Sequence, residues 1–207
     1  MPSRNLLFLS GLGAPAVLFT PWFLVFRWFG YRVHAVPNSR FSFDPVSTFA
    51  EQTVEAASGL DEVDVVAVSY GGNAALYAAH LSPELCRKTR KMVLVCAPLM
   101  GAPGLLDPVR RLLPQRLARP LEEMSPNSPV TAAIREMGTR KPFPFDLHCL
   151  YHERDFVAPM EAATLGGAGT AHRLDFQWDF VPGLLMHQAA CANPRTLSTL
   201  VQILIEP

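Results

Sequence analysis

The chain has 207 residues, of which 49% are hydrophobic and 17% are charged, and 18 basic residues balance 18 acidic ones. This length suits one domain with a real core, so we expect a single domain over residues 1–207. Nucleic-acid binding needs a basic footprint, so the zero net charge argues against a nucleic-acid partner. The charged fraction is below the average of about 25%, which suits contact with apolar partners.

Apolar strand-like runs alternate with helical patterns from the start of the chain. The predicted strands are 5–9, 31–36, 63–69, 91–96, 145–151 and 173–178. The predicted helices are 19–29, 45–57, 71–80, 159–165 and 194–205. Strands separated by single helices form βαβ units. The predicted fold class is therefore α/β: one doubly wound, mostly parallel six-stranded sheet with helices on both faces and a short cap insertion.

Arg4 followed by apolar residues resembles a signal peptide, and residues 17–29 form a very apolar run of the kind found in membrane segments. Pro21 and Arg27 interrupt it, so no uninterrupted span of about 20 apolar residues remains for a membrane helix. Cleavage after Ala14 or Ala16 would remove the first predicted strand, which the fold needs. We therefore expect a cytoplasmic protein without a stable membrane anchor, and secretion is the less favoured alternative.

The connection between the fourth and fifth predicted strands is unusually long. Connections of this length are usually functional or carry their own structure. Within it, apolar residues at helical spacing predict a short amphipathic helix over 107–119. We expect a cap over the active site at about 99–144, and an ordinary surface helix docked on the sheet is the alternative.

The run 63–72 is the most informative stretch of the chain. A Val-rich strand stops at Ser69, small residues follow, and a helical pattern begins at once. This strand, sharp turn and helix form the layout of a nucleophile elbow, in which the serine hydroxyl stands proud of a parallel sheet. Ala67 and Gly71, two positions either side of the serine, let the two arms of the turn pass closely. Ser69 is therefore the predicted nucleophile.

A serine nucleophile needs a base, and the base needs an orienting carboxylate. In open α/β sheets the site lies at the carboxyl ends of the strands, so the acid must follow a strand. Asp155 follows the fifth predicted strand and is the best candidate, while Asp179 is the reserve. Asp146 and Asp175 lie within predicted strands or at their wrong ends. Asp155 could instead be an ordinary turn or helix-capping aspartate.

Of the six histidines, His187 is the one placed to face Ser69, because it lies after the last predicted strand and before the last helix. His172 starts the last predicted strand, at the wrong end. His148 and His152 share a strand face about 13 Å apart, too far to chelate one metal ion. The order serine, aspartate, histidine is typical of the triad that follows a nucleophile elbow.

The developing oxyanion needs backbone N–H donors. One should be the amide of Tyr70, directly after the nucleophile, and the other should come from the glycine-containing loop 10–14 after the first strand. That loop could also be merely a tight turn between strand and helix.

The sequence indicates no cofactor and no metal. It has no phosphate-binding glycine-rich loop and no metal-ligand cluster, and no two cysteines have the close spacing of a metal or redox site. We expect four reduced thiols, although an even count permits a disulfide. The cysteines are Cys86, Cys96, Cys149 and Cys191.

Taken together, these motifs resemble the α/β-hydrolase lipases and esterases, especially the small bacterial lipases with little or no lid and with alanine at the first glycine of the elbow. The resemblance covers nearly the whole chain and implies a minimal α/β-hydrolase fold in which Leu12 donates the second oxyanion-hole amide. Two positions depart from the family. The family usually has histidine at the position of Ser10, and it often has histidine at the position of Val68. The matching motifs are 11–13, 67–71, 97–103, 124–129, 154–159, His187 and 193–194.

We therefore expect a serine hydrolase that cleaves carboxylic esters, a lipase or esterase, acting on a small ester or lipid as a monomer or weak oligomer. Leu12, Tyr70, Met100 and Met186 adjoin the predicted site loops and are the expected substrate-binding residues, since a mostly apolar pocket fits medium-chain esters. Two alternatives remain: another acyl-transfer enzyme on the same triad (a thioesterase, amidase or acyltransferase), and a catalytically silent scaffold.

Overall fold

The structure, a computed structural model, describes residues 4–39, 43–102, 112–140, 142–176 and 183–206. The described residues contain one sheet of six parallel strands in the order β2-β1-β3-β4-β5-β6. This confirms the predicted doubly wound α/β class. The strands are β1 (Arg4–Leu9), β2 (Tyr31–Ala35), β3 (Val63–Val68), β4 (Thr89–Val95), β5 (Asp146–Tyr151) and β6 (Thr170–Arg173).

The helices lie between the strands and cover both faces of the sheet. Short 3₁₀ turns occur at Ala16–Phe19 and Leu165–Gly167. The α-helices are α1 (Thr20–Trp28), α2 (Val46–Ala57), α3 (Tyr70–Leu81), α4 (Pro83–Lys88), α5 (Gln115–Glu123), α6 (Pro129–Thr139), α7 (Met160–Ala163), α8 (Gly183–Ala192) and α9 (Pro194–Ile205).

Strand β3 lies inside the sheet and every one of its residues is buried, as a continuous Val-rich run predicts when both faces are covered. Val65 and Ala67 point into one core layer, together with buried residues of α2, α3 and α6. Val66 and Val68 point into the other, with residues of α1, α8 and α9. The alternation of side chains along a strand thus divides the core into two layers.

The last strand differs from its prediction. We expected it at 173–178, but β6 is Thr170–Arg173 and pairs with His148–Tyr151 of β5. The apolar residues that suggested a later strand, Leu174 and Phe176, are buried in the second core layer just beyond β6. The strand itself is an edge strand with exposed residues, so its own sequence carried little apolar signal.

Three described helices, α4, α6 and α8, were not predicted, although α4 and α6 carry a start signal. Ser82 caps α4 by accepting a hydrogen bond from the N–H of Leu85, and Ser128 caps α6 by accepting one from Thr131. A proline follows each cap at the first helical position, which is a typical N-terminal signature. The Ser-Pro pairs could therefore have located both helices.

The described part of the predicted cap region contributes α5 and α6. Residues 103–111 lie outside the described residues, and with them the first part of the expected 107–119 helix. In the described part of that range, α5 begins only at Gln115, after Pro114. Helix α6 packs beside α3 and buries Val130 and Ile134 in the first core layer. Helix α5 is tied to α2 because Glu123 accepts hydrogen bonds from the backbone N–H and the hydroxyl of Ser47. This part of the insertion therefore belongs to the helical layer on the sheet.

The amino edge of the sheet holds a buried ionic cluster that the sequence analysis missed. Asp64 accepts hydrogen bonds from the Tyr31 hydroxyl at 2.9 Å, an Arg90 guanidinium nitrogen at 2.5 Å and the Lys91 backbone N–H at 3.2 Å. The Lys91 ammonium donates to the Ile203 carbonyl at 2.7 Å. The cluster thereby fastens the end of α9 to the start of the sheet.

No helix within the described ranges is both long enough and apolar enough to cross a membrane.

Candidate active site

Ser69 occupies the sharp turn between β3 and α3, with φ of 52° and ψ of −123°. Residues other than glycine rarely adopt a positive φ, and a strained backbone of this kind persists only where surrounding contacts hold it. Here the Ser69 N–H donates to the Val95 carbonyl at 2.7 Å, and the Gly72 N–H donates to the Ser69 carbonyl at 2.8 Å. The turn is thus fixed on both sides of the serine.

Two glycines after the serine allow the turn to form. A Cβ added to Gly71 would lie 2.7 Å from the carbonyl oxygens of both Leu9 and Ser10. A Cβ added to Gly72 would lie 2.4 Å from the Cβ of Ala97. Helix α3 therefore begins in direct contact with the ends of β1 and β4, which only glycine permits.

The structure brings Ser69, His187 and Asp155 into one hydrogen-bonded chain. The Ser69 Oγ lies 2.7 Å from His187 Nε2, and His187 Nδ1 lies 2.7 Å from Asp155 Oδ2. His187 lies in helix α8, and its side chain and that of Asp155 are almost fully buried. The predicted nucleophile, base and orienting carboxylate thus lie within hydrogen-bond reach of one another.

Asp155 uses its two carboxylate oxygens for different partners. Oδ1 accepts the backbone N–H groups of Val157 at 2.9 Å and Ala158 at 3.0 Å, which closes a turn after β5. Oδ2 faces His187. The turn-forming and histidine-orienting interpretations of this residue are therefore compatible, since the hydrogen bonds to Oδ1 fix the carboxylate with Oδ2 towards the imidazole. Asp179, the reserve acid, lies outside the described residues.

The pKa of His187 reflects burial and two neighbours. Burial disfavours the charged imidazolium, but Cys191 and Asp155 favour it, so that the pKa is raised from 6.5 to about 8. Cys191 follows His187 by one helical turn. A hydrogen bond from Cys96 lowers the pKa of the Cys191 thiol, and raises that of Cys96.

We expected Cys96 and Cys191 only to be reduced thiols, with no link to the site. Both are buried beside the Asp155–His187 pair, and each had a signal that could have revealed this. Cys96 directly follows β4 at the carboxyl edge and has a positive φ of 48°. Cys191 lies four residues after His187, a spacing that places both on one helix face.

The loop after β1 lies against the nucleophile. A Cβ added to Gly11 would be 3.4 Å from Ser69 Cβ and 4.0 Å from its Oγ. The Leu12 N–H follows in this loop, and the Tyr70 N–H is the first of helix α3. Neither N–H donates to a protein acceptor within the described part of the chain. Both amides are therefore available beside the serine.

The four expected substrate-binding residues lie in different environments. Leu12 and Met100 are half-buried at the carboxyl edge of the sheet. The Tyr70 ring is fully buried, stacks on Phe49 and donates its hydroxyl to the Asp44 carbonyl. Met186 is also fully buried, in the second core layer. Of these four residues, Leu12 and Met100 thus have side chains that are partly open to solvent.

The other histidines have partners of their own. His148 Nδ1 lies 3.0 Å from His172 Nε2 across β5 and β6, and His152 Nε2 contacts the Phe176 carbonyl. His172 is the third residue of β6, not the start of a later strand as predicted. Among the residues that the structure describes, no group of three or more His, Cys, Asp or Glu side chains could hold a metal ion.

Comparison with known proteins places the fold. No protein-family model and no curated protein sequence matches the chain. In structure, the chain is similar to a metagenomic carboxyl esterase, MGS0156, with a TM-score of 0.66 at 16% identity, covering 98% of this chain and 76% of that one. It is also similar to MGS-MChE2, an α/β-hydrolase enzyme from the metagenome of lagoon sediments of Mar Chica, Morocco (TM-score 0.66, 21% identity, 98% and 90% covered).

A third similar structure is the monoacylglycerol lipase of Paleococcus ferrophilus, with a TM-score of 0.59 at 14% identity, covering 98% of this chain and 96% of that one. At these identities the likeness concerns the fold. The parallel sheet, the strained turn after β3 and these structural relatives agree, and the chain has the α/β-hydrolase fold.

Proposed function

We propose that the protein is a serine hydrolase that cleaves carboxylic esters through a covalent acyl-enzyme. The observation that carries this proposal is the continuous chain from Ser69 Oγ through His187 to Asp155, with two contacts of 2.7 Å. The similarity of the fold to structures named as carboxyl esterase and lipase supports an ester as the substrate class.

In the proposed reaction His187 acts first as the general base. Its Nε2 removes the Ser69 proton as Oγ attacks the acyl carbon, since 2.7 Å is within hydrogen-bond reach. Asp155 Oδ2 holds the Nδ1–H tautomer and stabilises the imidazolium that forms. The imidazolium then protonates the leaving alcohol, and His187 activates the water that hydrolyses the acyl-enzyme.

The backbone N–H groups of Leu12 and Tyr70 are the proposed oxyanion hole. They flank Ser69 from two different loops, and removal of one such donor typically costs about 3 kcal/mol of transition-state stabilisation. Gly11 leaves the space beside Oγ open, because any larger residue would bring its Cβ to 4.0 Å from that oxygen. Leu12 and Met100 are the proposed apolar contacts for the acyl group.

The test is an initial-rate series on p-nitrophenyl esters from acetyl to palmitoyl. We expect turnover that peaks at one chain length in the wild type and vanishes in Ser69→Ala. Ser58→Ala, at an exposed serine that ends α2 and precedes β3, at the opposite end of that strand from Ser69, is the matched control and should retain full activity.

A fluorophosphonate probe separates the alternatives if no ester is cleaved. Labelling of Ser69 without ester turnover would overturn the ester proposal and favour another acyl-transfer reaction on the same residues. Folded protein that neither turns over esters nor reacts with the probe would be a silent scaffold.

A further inference from the structure

Helix α1 carries an apolar face that the described part of the chain leaves exposed. Its buried residues Trp22 and Phe26 face the sheet, whereas Leu24 and Trp28 remain 60% and 87% exposed. Pro21 is exposed on the same side, and the spacing 21, 24, 28 lies along one face of a helix. The preceding 3₁₀ turn adds Val17, which is 70% exposed. We define the exposed face of α1 as Val17, Leu18, Pro21, Leu24 and Trp28.

The N-terminal segment that carries this face has charged residues of one sign. Residues 1–43 contain four arginines, Arg4, Arg27, Arg32 and Arg40, and no acidic residue, although the whole chain is neutral. The remaining chain therefore holds 14 basic and 18 acidic residues. Arg27 is exposed on α1 beside Leu24 and Trp28. Arg32 is exposed on the neighbouring edge strand β2, on the face of that strand opposite to Tyr31, which packs in the core layer under α1.

On the side of the sheet that α1 covers, the short helix α7 packs Ala163 in the core layer and carries the exposed Glu161. The three long helices there, α1, α8 and α9, contain Arg27 and Arg195 and no acidic residue. Helices on the opposite side carry both signs, with glutamates in α2, α4, α5 and α6. The molecule thus has one side on which exposed apolar groups and positive charge occur together.

We propose that the exposed face of α1 docks reversibly on an anionic lipid surface. An interfacial helix buries its apolar side at the boundary between headgroups and acyl chains, and basic residues beside it attract anionic lipid. Trp28 is the residue type that favours this boundary, since its ring is amphipathic. A second copy of this chain fits less well, because a two-fold contact would bring the arginines of one copy against those of the other.

The position of the face gives the docking a consequence. Val17 and Leu18 directly follow the loop that carries Leu12, so the face begins at the carboxyl edge where Ser69 lies. Phe156 and Met160, beside Asp155, are also exposed at that edge. Docking would hold the site edge near the lipid. The docking itself does not depend on the proposed ester hydrolysis.

The experiment is vesicle co-sedimentation of the full chain carrying Ser69→Ala, so that lipid hydrolysis cannot interfere. Vesicles are pure phosphatidylcholine or an equimolar mixture of phosphatidylcholine and phosphatidylglycerol. We expect binding to the mixed vesicles, weaker binding to phosphatidylcholine, and loss of the difference at high salt. The pair Leu24→Glu and Trp28→Glu together should reduce affinity for mixed vesicles by roughly tenfold or more.

Leu81→Glu is the matched control for Leu24→Glu alone, because Leu81 is an exposed leucine at the end of another helix and gains the same single charge. Arg27→Gln should reduce the preference for phosphatidylglycerol while keeping the weaker binding. Absence of binding to mixed vesicles would overturn the proposal, and so would equal losses in Leu81→Glu and Leu24→Glu. Sedimentation equilibrium would instead favour a second copy if the wild type dimerises and the α1 variant does not. The catalytic proposal is tested separately. The α1 variant that retains Ser69 is assayed for turnover of a water-soluble ester.

Discussion

The sheet has one buried aspartate at the amino ends of its strands, Asp64, and one at the carboxyl ends, Asp155. The two differ in which groups their carboxylate oxygens bind. At the amino edge Asp64 is saturated by fixed donors, Tyr31, Arg90 and the Lys91 backbone. At the carboxyl edge the backbone occupies only Oδ1 of Asp155, and Oδ2 meets a histidine that in turn contacts a hydroxyl.

The hydroxyl groups differ in the same way. The Tyr31 hydroxyl lies between Asp64 and the Leu204 carbonyl, and burial followed by the Asp64 charge raises its pKa to about 12. It is held as a donor. Ser69 instead has its proton next to an acceptor nitrogen whose pKa is about 8. A saturated carboxylate stabilises the fold, whereas a carboxylate that orients a base can serve chemistry.

The largest expected effect is on activity at the carboxyl edge. Asp155→Asn should lower kcat/KM by about four orders of magnitude, because the amide no longer holds the correct imidazole tautomer. The free energy of unfolding should change much less, since the turn oxygen is retained. Ester kinetics and urea unfolding measure the two quantities. A mild kinetic effect would show that Asp155 is not the orienting acid.

Asp64→Ala should have the opposite profile. Removal of this carboxylate leaves Arg90 and Tyr31 without their buried partner, and we expect a loss of about 3 kcal/mol in the free energy of unfolding. Active-site titration with the fluorophosphonate probe would give kcat per folded molecule, which should remain near the wild-type value. If kcat fell as far as in Asp155→Asn, the functional distinction between the two edges would be wrong.

Gly71→Ala tests the close approach behind Ser69. A Cβ 2.7 Å from two carbonyl oxygens must displace the start of α3, so we expect a loss of about 1–3 kcal/mol in stability and a clear fall in kcat/KM. Gly59→Ala is the control, because nothing lies within 4 Å of its added Cβ and its φ is not positive. Thermal unfolding and ester kinetics compare them, and equal effects would contradict the packing argument.

The smallest expected effect is a shift in the pH profile. The reaction needs neutral His187, whose pKa is about 8, so kcat/KM should rise about tenfold per pH unit below 8 and level off above it. Cys191 helps to raise this pKa, so Cys191→Ala should move the rise to lower pH. Ala190 is buried on the same helix, and Ala190→Gly is a control for helix perturbation. An unmoved profile in Cys191→Ala would remove the thiol from the electrostatics of the site.

Sequence patterns located the strands that carry the site but were less reliable at the edge of the sheet. The central strands are buried on both faces and therefore read as apolar runs. Strand β6 is an edge strand, and the apolar residues Leu174 and Phe176 beyond it shifted its prediction by several residues. Asp64 offered an unused signal, because a charge inside the run 63–68 requires a buried partner.

The sequence by itself determined the parallel α/β class and the elbow at Ser69, and it singled out Asp155 and His187, because periodicity and the order of strands and loops are local properties of the chain. Only the tertiary structure decided which Asp155 oxygen faces His187, that Tyr70 and Met186 are buried, and that Cys96 and Cys191 lie beside the pair. Those facts depend on contacts between residues distant in the chain, which no local pattern encodes. For the same reason, the sequence could show that α1 is apolar, but only the packing of the sheet could show which of its faces remains uncovered.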